Sequence, residues 1–263
     1  MLLRLFIFML FLSLPAWAGE ARSPEEAMRL SQAAIGREVS NHRFIKSDGQ
    51  AFTLDSTKGK PTIISLIYTS CYHTCPLITE TLAKAAIEAA TALGHDKFRV
   101  ITIGFDTKAD NPEAMRLYAK QHGNNKIEWH FLSGDALTIE RLADETGFTY
   151  YPSSRGFDHL TQTTILDSEG KIYRQVYGDA FDIPHLVEPL KDLVLGRAVN
   201  FTSVEGIWTR VKLFCTIYDP RNQSYRFDYG IFIEMIVGGL CVLGIGVFWV
   251  RLIRSANNPR NNT

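Results

Sequence analysis

Two thiols separated by three residues, Cys71 and Cys75, are the part of this sequence best suited to chemistry. They lie in Tyr68-Thr-Ser-Cys71-Tyr-His-Thr-Cys75-Pro76, directly after the apolar run 61–68. At that separation two sulfurs can share a metal ion or close into a disulfide. The spacing is one residue longer than the C-x-x-C of thioredoxin-type redox motifs. The apolar run reads as a buried strand, and Pro76 suits the first turn of a following helix, with Thr74 or Cys75 as its cap. Such a junction gathers unpaired N–H groups at the positive end of a helix dipole, and both favour thiolate over thiol. Soft-metal ligation and thiol–disulfide exchange are the two chemistries this arrangement allows.

The elements that must position the thiols alternate along the middle of the chain. Residues 38–54 read as a hairpin turning at Ser47-Asp48-Gly49, and 63–68 as the buried strand. A helix rich in alanine and leucine follows over 77–93, then a second buried strand over 98–105 and a helix over 111–122 with Pro112 at its start. A short strand over 128–132 and a short helix over 139–146 come next. Residues 163–167 and 171–177 pair through Ser168-Glu169-Gly170, and 184–195 closes as a helix. A βαβ unit followed by a hairpin and a helix implies an α/β fold, a thioredoxin-like mixed sheet flanked by helices.

The whole chain has 263 residues, 28 basic and 28 acidic, and is 46% hydrophobic, enough for one sizeable domain with accessory segments. Balanced charge without a basic, aromatic-rich patch gives no electrostatic case for nucleic acid. Four cysteines (Cys71, Cys75, Cys215 and Cys241) are too few for a disulfide-stapled scaffold. At the N-terminus Arg4, the apolar stretch 5–14 and Ala16-Trp17-Ala18 read as a cleaved secretory signal over 1–18. Residues 231–250 are long enough to cross a hydrocarbon core of about 30 Å, and Arg251 and Arg254 follow at once, which places the tail 251–263 in the cytoplasm. The expected layout is then an extension over 19–35, a periplasmic domain over 36–199, a juxtamembrane segment over 200–230 and a single span in the inner membrane. Val204, Ile207, Trp208, Val211 and Cys215 suit one face of a short amphipathic helix at the membrane surface.

Three segments together resemble the Sco/SenC family of membrane-tethered, thioredoxin-like copper proteins. They are Tyr68-Thr-Ser-Cys71-x-x-x-Cys75-Pro76, then Gly104-Phe-Asp106-Thr-Lys-Ala-Asp110-Asn-Pro112, then Phe157-Asp158-His159 ahead of Thr164-Ile-Leu-Asp167-Ser-Glu-Gly170-Lys. The resemblance covers roughly residues 36–197. It departs at Tyr72, where many members carry proline, and in placing the anchor at the C-terminus. It implies a copper chaperone that binds its ion through Cys71, Cys75 and His159. The implied partners are a cytochrome c oxidase subunit, through its Cu-A centre, or another copper-dependent terminal oxidase, together with other periplasmic copper carriers and membrane lipid. Two thiolates and an imidazole form a soft, low-coordinate set that suits copper, whereas a structural zinc site needs a fourth protein ligand.

His73 is read as a solvent-facing loop residue. Asp158 either orients the His159 imidazole or caps its own loop. Asp106 and Asp110 are expected to cap the helix that begins near Pro112. His42, His95, His122, His130 and His185 read as structural or exposed. Cys215 and Cys241 read as buried apolar thiols, although Cys215 outside the cytoplasm could form an intermolecular disulfide. The competing reading is a thiol–disulfide oxidoreductase with Cys71 and Cys75 as attacking and resolving thiols. Against it, the stretch 158–164 offers a histidine where thioredoxin-type enzymes carry a cis-proline.

Overall fold

The computed structural model describes residues 23–154, 156–197, 216–219, 224–227 and 230–256. A first helix, α1 (Pro24–Ala33), was not expected; its cap is the Ser23 hydroxyl, which accepts from the Glu26 amide. The hairpin β1 (Arg43–Lys46) and β2 (Ala51–Thr53) turns where predicted, with Gly49 at a φ of 85° that favours glycine. Then follow β3 (Thr62–Ile67), α2 (Thr74–Leu93), β4 (Arg99–Gly104), α3 (Pro112–His122), β5 (Trp129–Ser133) and α4 (Ala136–Thr146). A small hairpin, β6 (Tyr150–Ser153) and β7 (Gly156–His159), precedes β8 (Gln162–Leu166), β9 (Ile172–Tyr177) and α5 (Ile183–Arg197).

Seven strands make one mixed sheet in the order β2-β1-β5-β4-β3-β8-β9. Strands β3, β4 and β5 are parallel, with Ile64 opposite Ile101 and Ile101 opposite His130. Strands β8 and β9 are antiparallel to their neighbours, as in Ile64 opposite Thr164. Every residue of β3 is buried, as a strand at the centre of a sheet covered on both faces requires. Helix α2 lays Ala85, Ala86, Ala89 and Ala90 into the core and packs against α5, so the thiols at its start are held by the most buried part of the fold.

Among the described residues beyond α5 there are a pair of strands and a helix. Strands β10 (Thr216–Asp219) and β11 (Ser224–Phe227) pair as a hairpin, and helix α6 (Gly230–Ala256) follows. The hairpin rests on the domain through Tyr225: its amide donates to Glu88 Oε2 on α2 at 3.2 Å and its hydroxyl to Glu188 Oε1 on α5 at 2.8 Å. Among the described residues α6 is the one helix long and apolar enough to cross a membrane, over Ile233–Arg254. The signal over 1–18, the amphipathic face expected over 204–215 and Cys215 lie outside the described residues.

Candidate metal centre

Strand β3 ends at Ile67, and Tyr68 and Thr69 begin the loop that carries the first thiol. The Cys71 amide donates back to the Tyr68 carbonyl at 3.2 Å, which closes a tight turn under the sulfur. Helix α2 begins at Thr74 with His73 as its cap residue, and no side chain of the expected cap residues, Thr74 and Cys75, closes it. The Cys71 sulfur takes that place. It accepts the Cys75 amide at 3.4 Å and also draws the His73 amide, two donors a helix start would otherwise leave open. Cys75 sits in the first turn and is 1% exposed, while Cys71 is half-buried.

This asymmetry sets the protonation of the pair. For Cys71, burial pushes the thiol up, but the Cys75 and His73 amides and the Tyr68 hydroxyl outweigh it and leave its pKa below the ordinary thiol value. For Cys75, burial dominates and, with the neighbouring Cys71 charge, pushes the thiol far up. In the reduced protein Cys71 is therefore the sulfur that ionises and Cys75 the one that keeps its proton. Burial and the adjoining sulfur also push the Tyr68 phenol up to about 12, so it remains a donor.

Asp110 does not cap a helix, contrary to expectation. The cap of α3 is Asn111, whose side chain accepts from the Ala114 amide at 3.0 Å. Asp110 is buried and its carboxylate accepts from the Thr69 amide at 2.8 Å, the Thr69 hydroxyl at 2.7 Å and the Asp106 amide at 2.9 Å. It ties the thiol loop to the turn after β4. Asp106 does not cap α3 either; its Oδ1 accepts from the Lys108 amide at 3.3 Å. Gly104 makes room for the tie, since a Cβ there would meet the Asp110 Cβ at 2.4 Å.

His159 ends β7, in a hairpin whose residues show no alternating strand pattern. Its imidazole lies among the rings of Phe105 at 5.6 Å, Phe148 at 5.6 Å and Tyr68 at 6.2 Å. Burial there holds its pKa below the ordinary histidine range, against the opposing pull of the Leu160 carbonyl and the Asp158 charge. The Leu160 carbonyl lies 3.3 Å from Nδ1 and can only accept, so Nδ1 carries the proton and Nε2 keeps its lone pair. The partner that orients the ring is thus Leu160 rather than Asp158, which is exposed. A cleft of about 340 Å³ between α1 and β7 reaches the imidazole and is lined by Pro24, Ala27 and Thr149 among others.

The structure brings Cys71 and Cys75 together and connects His159 to them through Tyr68. Among the described residues it gathers no three of His, Cys, Asp and Glu closely enough to be a preformed metal cage. His73 is exposed in the loop, as expected, and Cys241 lies on α6 as a free thiol. Phe105, Phe157 and Asp110 also belong to the site, Phe105 and Phe157 against Tyr68 and Asp110 under the thiol loop. One signal was available: each of the three segments quoted above carries an aromatic residue beside its polar one.

The profile of the SCO1/SenC family matches residues 31–195. The chain belongs to the SCO1/SenC family. A solved protein of Aquifex aeolicus VF5 shares 30% identity with this member, with a TM-score of 0.57 over 64% of this chain and 98% of that one. Arabidopsis thaliana ScoI, solved with copper bound, shares 22% identity and a TM-score of 0.51 over 57% of this chain and 92% of its own. BsSco, described as a member of the Sco family of cytochrome c oxidase assembly proteins with a disulfide switch, shares 20% identity and a TM-score of 0.54 over 60% and 94%. The thioredoxin-like sheet flanked by helices is thus the fold of a Sco protein, and in this chain one apolar helix follows it.

Proposed function

We propose that this Sco protein is a membrane-anchored copper chaperone rather than an enzyme, holding the ion through Cys71, Cys75 and His159 and passing it to a terminal oxidase, with the Cu-A centre of cytochrome c oxidase as the acceptor. The observation that carries the reading is the donor set. One ionisable sulfur, one sulfur whose proton a bound metal would displace, and one neutral imidazole with its Nε2 lone pair form a soft set matched to cuprous copper. Nearby copper-bound Sco structures and the oxidase-assembly description of BsSco support it. The layout that goes with it has a signal over 1–18, an extension over 19–35, a periplasmic copper domain over 36–199, a juxtamembrane segment over 200–230, a span over 231–250 and a cytoplasmic tail.

A second reading has its own support. An ionised Cys71 beside a protonated Cys75 is the pairing an attacking and a resolving thiol require, and the disulfide switch described for BsSco is of the same kind. The two readings part at His159, because exchange needs only the two sulfurs. Oxidase activity in cells carrying Cys75→Ser or His159→Ala, with and without added copper, decides between them. The chaperone reading expects both variants to be deficient and at least partly rescued by copper. A near-normal His159→Ala strain would sink it in favour of thiol exchange.

A further inference from the structure

Tyr68 lies between the thiol loop and the β6–β7 hairpin. It is 6% exposed, and a phenol hydroxyl that deep in a fold needs partners. It has one on each side. The hydroxyl faces the Cys71 sulfur on one side and the amide of Phe157 on β7 on the other. The ring stands edge-on to His159, 6.2 Å between centroids at 86°, and edge-on to Phe157 at 5.3 Å and 72°. The β6–β7 hairpin is shaped around the same group. Gly156 has a φ of 115°, and a Cβ there would sit 2.9 Å from the Tyr68 hydroxyl oxygen. The phenol therefore reaches one sulfur and the hairpin that bears the imidazole, although the two sites are remote in sequence.

We propose that Tyr68 is the positioning residue of this centre, fixing the Cys71 sulfur with its hydroxyl and seating the His159 hairpin with its oxygen and ring. The role rests on the reading of Cys71, Cys75 and His159 as copper ligands. A hydrogen bond to a ligating sulfur draws off electron density and so tunes both the metal–sulfur bond and its spectrum. A phenylalanine would fill the same space, yet leave the sulfur without its O–H donor and the Phe157 amide without its acceptor. A tyrosine serving only as core filler would tolerate that change.

The test compares full-length wild type with Tyr68→Phe and His159→Ala in nanodiscs. In the reduced, copper-free state, hydrogen exchange over residues 156–159 should quicken about tenfold in Tyr68→Phe, the size of one lost hydrogen bond. In the Cu(II)-loaded state, its thiolate-to-copper absorption should move to longer wavelength, because the sulfur becomes the better electron donor. Wild-type exchange together with an unmoved band would overturn the positioning role. The ligand reading fails separately, by a His159→Ala protein whose copper spectrum equals that of wild type. In that event the exchange measurement, which uses no copper, still judges the bond between Tyr68 and the hairpin.

Discussion

Cys71 does two jobs with one sulfur, closing the start of α2 and offering a thiolate, while Cys75 is so deeply buried that its proton stays in place through neutral pH. A metal that takes both sulfurs must displace that proton. Copper affinity should then rise with pH, by about tenfold per unit for each proton released, across the range where Cys75 is protonated in the free protein and ionised in the complex. The sign follows from the direction of the shift: a raised thiol pKa makes acid the stronger competitor for the site. Chelator competition at pH 6, 7 and 8 measures it, and a flat profile would remove Cys75 from the ligand set. The pair itself was legible in the sequence, since spacing, strand and proline lie within a few residues of one another. The division of labour was not, because it depends on which sulfur the helix start turns toward. Asp110 was misread for a related reason. An aspartate just ahead of Pro112 resembles a cap, but Asn111 already holds that position and frees the carboxylate to reach Thr69.

At the scale of elements, the site is a joint between the loops that follow β3 and β4 and the strand β7. Asp110 locks the first two together with three accepted hydrogen bonds. Asp110→Ala should cost about 2–4 kcal/mol in unfolding free energy, since it strands buried donors on Thr69 and Asp106. Asp110→Asn should cost less, because an amide oxygen still accepts. Denaturant titration of the reduced, metal-free protein gives both values, and equal stability of Asp110→Ala and wild type would refute the lock. The strands and helices of the sheet were readable because long apolar runs such as 63–68 and 98–105 announce themselves. The β6–β7 hairpin was not. Its strands are four residues each, Pro152 interrupts the first, and neither buries a clean alternating face. What defines it is Gly156 fitting against Tyr68, a contact that no local pattern encodes. Helix α1 was equally hidden; it leans on the domain through Ser31 and Tyr177, 3.0 Å apart, and through Leu30 against Gly147.

For the whole molecule, the proposed membrane arrangement makes a sharp expectation: a reporter fused after Thr263 should be active only in the cytoplasm, and periplasmic activity would reverse the orientation. The hairpin between the domain and α6 has a mechanical consequence of its own. Phe227 and Gly230 are three residues apart, a span of about 10 Å at most, so the hairpin travels with the end of the apolar helix. It is pinned by Tyr225 to Glu88, fourteen residues along α2 from Thr74, which at 1.5 Å per residue is about 21 Å from the thiol loop. Helix α2, gripped through Tyr225 together with α5, thus sets a spacer of fixed length between the hairpin and the thiol loop. On the proposed reading that length works as a ruler, and an acceptor is served only if it presents its metal site within that reach of the anchor.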